Sequence, residues 1–165
     1  MTFYQPDKLP KLMVAPNGAR KVKKDHPEVP LTIQETVEVA KNCFKAGAGA
    51  IHLHVRNEKG EHVLDAGLYK EALKELEFKV PKMHIQVTTE AVGKYSPEDM
   101  RKLAYDVIPP GTSIGIAEMI PSRYPTDEDV KLYKYLTEAG TKIQHLLYNP
   151  NDIDLLVSLL NKAEI

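Results

Sequence analysis

The sequence predicts an α/β fold of (βα) repeats with parallel strands, and two patterns carry that prediction. Short apolar runs alternate with amphipathic segments from one end of the chain to the other, which is the rhythm of successive βα units. The stretches that follow the apolar runs are long and polar, whereas those that precede them are short. In barrels and open α/β sheets alike, the loops after the strand carboxyl ends build the ligand site, so this asymmetry locates it.

Five units can be counted. The first strand spans residues 11–15, is ended by Pro16-Asn17-Gly18, and leads into a polar loop running to about Leu31. Thr32-Ile33-Gln34-Glu35 is a capping-box sequence opening the first helix, with Ile33, Val37, Ala40 and Phe44 on one face. Gly47-Ala48-Gly49 closes that helix, residues 50–56 form the second strand, and residues 67–78 the second helix, with Leu68, Ala72, Leu73 and Leu76 inward. A third strand covers residues 83–88, and Ser96-Pro97-Glu98-Asp99 supplies an N-cap, a proline at the first helical position and two acids that suit a helix start. The fourth strand lies near residues 112–117. Thr126-Asp127-Glu128-Asp129 then opens a helix with Val130, Tyr133 and Leu136 inward, closed by Ala139-Gly140. Residues 142–148 form the fifth strand, and Asn149-Pro150 caps a last helix carrying Ile153, Leu156 and Leu160 on its predicted inner face. No linker, low-complexity tract or close repeat divides residues 1–165, so a single domain is expected.

With 165 residues, 42% of them apolar and 27% charged, the composition is that of an ordinary folded protein with a real core. A formal charge of -1 gives no general attraction to nucleic acid or membrane. The single Cys43 has no internal disulfide partner and reads as a small buried hydrophobe. Pro6, Asp7 and Lys8 stand where a signal peptide needs an apolar core, and no apolar run approaches the ~20 residues of a membrane span. The expected location is cytoplasmic.

The second strand is the informative one. Ile51, Leu53 and Val55 alternate with His52, His54 and Arg56, giving one apolar and one polar face. In a barrel the polar face points inward, where two imidazoles and a guanidinium are costly to bury without partners or a ligand. Two histidines at i and i+2 on a strand can converge on one divalent metal ion; hydrogen-bonded interior histidines are the plainer alternative. Gln86 and Thr88 alternate with Ile85 and Val87 on the third strand, so their polar groups are expected on the same inner surface. A hydroxyl there suits a carboxylate or carbonyl substrate. Glu90 and Glu118 follow the third and fourth strands and are candidates to reach the same mouth, as metal ligands or as acids paired with Arg56. His145 on the fifth strand has an interior option, with a core histidine as the plainer reading, while His26, His62 and His84 are assigned no chemistry. The loop after the first strand carries Arg20, Lys21, Lys23 and Lys24. Arg20 suits a substrate carboxylate and the lysines suit a phosphate or the acidic tail of a cofactor, against the alternative of a solvated charge run.

Several stretches, taken in order, resemble one family. They are Ala15-Pro16-Asn17-Gly18-Ala19-Arg20, Asp25-His26-Pro27, Gly47-Ala48 with Ile51-His52-Leu53-His54-Val55-Arg56, and Gln86-Val87-Thr88-Thr89-Glu90-Ala91-Val92-Gly93. The chain is similar to the β-keto acid cleavage enzymes from its first strand through Ile143-Gln144-His145. The resemblance implies a TIM barrel holding a divalent metal, usually zinc, and condensation of a β-keto acid with acetyl-CoA to give acetoacetate and a new CoA thioester. It implies that His52 and His54 are metal ligands and that Thr88 holds the substrate carboxylate; Glu90 and Arg56 are further candidates for substrate binding. Lys21 and Lys23 are the residues assigned to CoA. Arg20 matches a position that is Glu in the family's best-known member, where it meets a substrate amino group; Arg implies an anionic or neutral substrate side chain instead.

Length departs from the resemblance. A TIM barrel needs about 250 residues and at least ~200, so five of eight units are expected here, as a truncated barrel. The family's third metal ligand, a Glu in a Gly-Phe-Glu-like motif, and the Arg and acid that assist deprotonation have no counterpart in this sequence. Exposed edges of the first and fifth strands would favour a homo-oligomer or a complementary chain. Two further functions stay open, a non-catalytic metal-binding fragment or half of a split enzyme, and a CoA-independent metal-assisted aldolase.

Overall fold

The computed structural model describes residues 3–163, which fall into two compact units, residues 1–88 and 89–165 of the chain. The strands, in chain order, are β1 (Met13–Val14), β2 (Ala50–Leu53), β3 (His84–Thr88), β4 (Gly111–Gly115) and β5 (Lys142–Leu146). Pairing is parallel between β1 and β2, β2 and β3, and β4 and β5. Among the described residues, no helix is long and apolar enough to cross a membrane.

In the first unit, α1 (Ile33–Lys45) and α2 (Ala66–Lys79) connect the three strands. The capping box forms as its sequence predicts: Thr32 Oγ1 accepts from Glu35 N–H, and Glu35 Oε2 accepts from the N–H groups of Thr32 and Leu31. The same carboxylate pairs with Lys23 Nζ at 2.9 Å, tying the polar loop to the helix start. Val37 and Ala40 are buried, while Ile33 and Phe44 are half-buried at the two ends of the stripe. Gly47 lies at φ 104°, in the left-handed region open to glycine, and lets Ala48 N–H turn back to the Cys43 carbonyl. Gly49 is needed for another reason, since a Cβ there would lie 2.9 Å from Pro10 Cβ. Asp65 caps α2 through the N–H of Leu68, and Tyr69 joins the expected Ala72, Leu73 and Leu76 in the core, leaving Leu68 half-buried.

The second unit contains α3 (Pro97–Val107), α4 (Ile116–Met119), α5 (Asp127–Glu138) and α6 (Asn151–Ala163) with β4 and β5. Capping boxes open α3 with Ser96 and Asp99, and α5 with Thr126 and Asp129. Several expectations are corrected, among them strand lengths: β1 keeps only Met13–Val14 of residues 11–15, β2 stops at Leu53 and not at 56, and β5 stops at Leu146 and not at 148. The fourth strand ends at Gly115, not near 117, because the chain winds directly into the short α4. On α6 the buried face is Asp152, Leu155, Leu159 and Ala163 rather than Ile153, Leu156 and Leu160, and Ile153 is 53% exposed. The cause is Asp152, whose fully buried carboxylate accepts from Tyr148 N–H, Asn149 N–H, the Asn149 amide and Arg123. A buried acid must find such partners, and satisfying it turns α6 one residue from the face its apolar spacing suggests.

The Glu35 carboxylate, held by the Lys23 ammonium and then by the Leu31 and Thr32 N–H groups, sits well below its usual range, at about 2. Its contribution is therefore complete above the unfolded carboxylate range near 4.5 and lost as the pH falls from there toward 2. After allowance for solvent screening of this half-exposed group, Glu35→Gln should cost about 1 kcal/mol at pH 7. In urea unfolding, the gap between parent and variant should close between pH 4.5 and pH 2; a gap that does not change with pH would rule out this role for the charge.

Candidate metal centre and substrate loop

The site grows out of the register between β2 and β3, in the first unit. His52 stands opposite Gln86 in parallel pairing, so both side chains emerge on one face. His52 Nδ1 lies 2.7 Å from Gln86 Oε1. Because an amide oxygen only accepts, Nδ1 carries the proton, and the lone pair of a neutral His52 is on Nε2. That atom lies 3.0 Å from His54 Nε2.

His54 is the first residue after β2 and is 3% exposed. Burial, followed by the charges of His52, His62, Arg56 and Arg20, lowers its basicity to a pKa of about 2. It is neutral at every physiological pH, the state that a metal requires of a ligating imidazole. Its Nδ1 is buried and has no hydrogen-bond partner among the described residues. Two imidazoles bringing Nε2 atoms to 3.0 Å, one of them oriented from behind by a carbonyl oxygen, fit two ligands of one divalent ion with its usual supporting contact. Among the described residues no group of three or more His, Cys, Asp and Glu side chains is arranged to hold a metal, so the pair is what this part of the chain offers.

Arg56 organises the loop before α1. Its guanidinium, 7% exposed with the rest of the residue, donates to the backbone carbonyls of Asn17, Gly18, Ala19 and Lys21. The buried Asn17 amide donates to Pro30 O at 3.1 Å and to His54 O at 3.2 Å, closing the loop against the end of β2. Arg20 is exposed on this loop, and its charge is felt at His54. Lys23 is paired with Glu35, and Lys21 lies 4.0 Å from Asp25. Thr88 is the last residue of β3 and is buried. The structure thus gathers His52, His54, Gln86, Arg56 and the Arg20 loop.

Other candidates belong to the second unit. Glu90 is half-buried just after β3, and Glu118 lies on α4, where its Oε2 occupies the space a Cβ at Gly115 would need, 2.6 Å away. His145 stacks on Tyr133 with ring centroids 5.5 Å apart, on the side where β5 meets α5, and burial lowers its pKa. It is half-buried there, not in the core as its plainer reading expects. Sequence reasoning overlooks one residue: His62, 4% exposed, packs edge-on to His54 at 5.0 Å between ring centroids. Its ten-residue distance from His52 carries no periodic signal, because a turn intervenes.

Comparison with known proteins follows the same lines. The model of the beta-keto acid cleavage enzyme family matches residues 11–165. The chain belongs to that family. It is 26% identical over 152 residues to the 3-keto-5-aminohexanoate cleavage enzyme of Acetoanaerobium sticklandii, covering 90% of this chain and 56% of that one. It is 35% identical over 78 residues to the 3-oxoadipate:acetyl-CoA acetyltransferase of Cupriavidus necator, covering 47% of this chain and 28% of the relative. The chain therefore spans about half the length, or less, of these relatives. The solved binary complex of ObcA with oxaloacetate shares the fold, with a TM-score of 0.68 and 16% identity over 84% of this chain and 35% of that one. Such a match agrees with the expected (βα) barrel-type architecture.

Removing the Arg56 guanidinium leaves several carbonyls short of a donor inside the protein, which costs about 2–3 kcal/mol. Arg56→Met should lose that much stability in urea unfolding and should speed tryptic cleavage after Arg20, Lys21 and Lys23. Unchanged cleavage of this loop would mean that the four contacts do not hold it.

Proposed function

We propose that this chain carries the histidine half of the metal centre of a β-keto acid cleavage enzyme, which condenses a β-keto acid with acetyl-CoA to give acetoacetate and a new acyl-CoA. The observation that carries the reading is the approach of His52 Nε2 and His54 Nε2 to 3.0 Å, with Gln86 fixing the His52 tautomer. Family membership supports the same reaction class.

In this reading His52 and His54 hold Zn2+ or another divalent ion, whose chemistry when bound is Lewis-acid polarisation of the keto-acid carbonyl. Gln86 keeps the His52 Nδ1–H directed away from the ion. Arg20, presented by the loop that Arg56 organises, meets the anionic or neutral side chain of the keto acid, and Thr88 offers its hydroxyl to the reacting carboxylate. Lys21 and Lys23 face the anionic part of acetyl-CoA at the cost of exchanging their carboxylate partners, Asp25 and Glu35. The remaining acid ligand and the proton-transfer residues come from a complementary portion of the barrel. The exposed stripe of Ile153 and Val157 on α6 supports a partner surface, either that portion or a second copy.

Zinc binding and acetoacetate formation test the reading together. With the complementary portion of a family barrel supplied, acetyl-CoA and a panel of β-keto acids should yield acetoacetate, and chelation should abolish it. The His52→Ala, His54→Ala double variant should lose bound zinc and at least ~100-fold in rate, the scale of losing a transition-state stabiliser. Silence across the panel with zinc bound would instead favour a non-catalytic metal-binding fragment, the reading suggested by the two-residue ligand set among the described residues.

A further inference from the structure

Immediately after β2 the chain folds back on itself in a tight hairpin. Asn57 Oδ1 accepts from Lys59 N–H and Glu61 N–H, the Asn57 amide donates to Glu61 Oε2, and Gly60 takes φ 77° to close the turn. Backbone bonds from Asn57 N–H to Glu61 O and from Val63 N–H to Val55 O join the two legs. The hairpin pairs Arg56 with His62 in an antiparallel bridge. One leg therefore carries the guanidinium that organises the Arg20 loop, and the other returns an imidazole to His54.

That return completes a file of three rings. His52 and His54 have centroids 4.9 Å apart at 64°, and His54 and His62 have centroids 5.0 Å apart at 65°. His52 is oriented by Gln86, but among the described residues the Nδ1 of His54 lacks the hydrogen bond that ordinarily fixes a ligating imidazole. Packing must orient it instead, and a flat ring at a steep angle restricts rotation about the Cβ–Cγ bond in a way that a rounded aliphatic group does not. We infer that His62 is a positioning residue for the metal centre: its ring, delivered by the Asn57–Glu61 hairpin, sets the plane of His54 so that Nε2 faces His52.

This inference rests on the metal reading above, and the test separates the two. With the complementary portion of a family barrel supplied, Zn2+ is titrated into the whole chain against a chromogenic chelator, with the absorption bands of Co2+ as a second readout of ligand geometry. His62→Ala and His62→Leu should weaken Zn2+ binding at least tenfold, the lower end of what loss of a supporting contact costs, and should alter the Co2+ bands. His62→Phe, which keeps a flat ring, should bind within threefold of the parent. Alanine and leucine variants that bind as tightly as the parent would overturn the positioning role while leaving the metal reading intact; a parent that binds no Zn2+ would overturn both. Should the alanine variant fail to fold, the comparison of leucine with phenylalanine decides on the same terms.

Discussion

A guanidinium can be buried only where acceptors surround it, and Arg56 finds them in the backbone of a single loop. The carbonyls of Asn17, Gly18, Ala19 and Lys21 converge on it, while Asn17 reaches across to the carbonyls of Pro30 and His54. This one network fixes the loop after β1, the entry into α1 and the end of β2. The histidine pair, the Arg20 position and the hairpin that carries His62 all hang from those three segments.

The network also sets the electrostatics. Burial above all keeps the His54 imidazole neutral, and the positive charge of Arg56 and Arg20 acts in the same direction. The same field opposes a cation at the Nε2 atoms, so two neutral ligands alone make a weak site there. Anionic partners are required to balance it, either a carboxylate ligand or the substrate carboxylate itself. Under the proposed function, a centre of this kind would couple metal affinity to substrate charge: the anion that neutralises the guanidinium groups would also strengthen the hold on the ion.

How much of this was legible in the sequence depends on the kind of signal. Caps were readable because they are local: Thr32 with Glu35, Ser96 with Asp99 and Thr126 with Asp129 name their partners three residues away. The histidine pair was readable from alternation along β2, and the side on which Gln86 lies followed from alternation along β3. The inner face of α6 was not, because Ile153, Leu156, Val157 and Leu160 form one apolar stripe and Leu155, Leu159 and Ala163 another. The Asp152 carboxylate chooses between them, held by Tyr148 and Asn149 just before the helix and by the distant Arg123, and apolar spacing carries no sign of it. His62 was invisible for a related reason, since a turn rather than a helical or strand period brings it to His54.

The clamp's chemistry has a consequence for specificity. Arg56 reads carbonyl oxygens, which every residue possesses, so the side chains at positions 19, 20 and 21 do not enter its bonds. They can be exchanged without releasing the loop, provided that the backbone can still follow the same path, and Gly18 at φ 55° is the position where that path makes its strictest demand. The residue presented beside the histidines is thereby separated from the residues that present it. Under the proposed function, a scaffold built in this way would permit substitution at position 20 to alter the charge offered to a substrate while the histidine pair and its support stay in place.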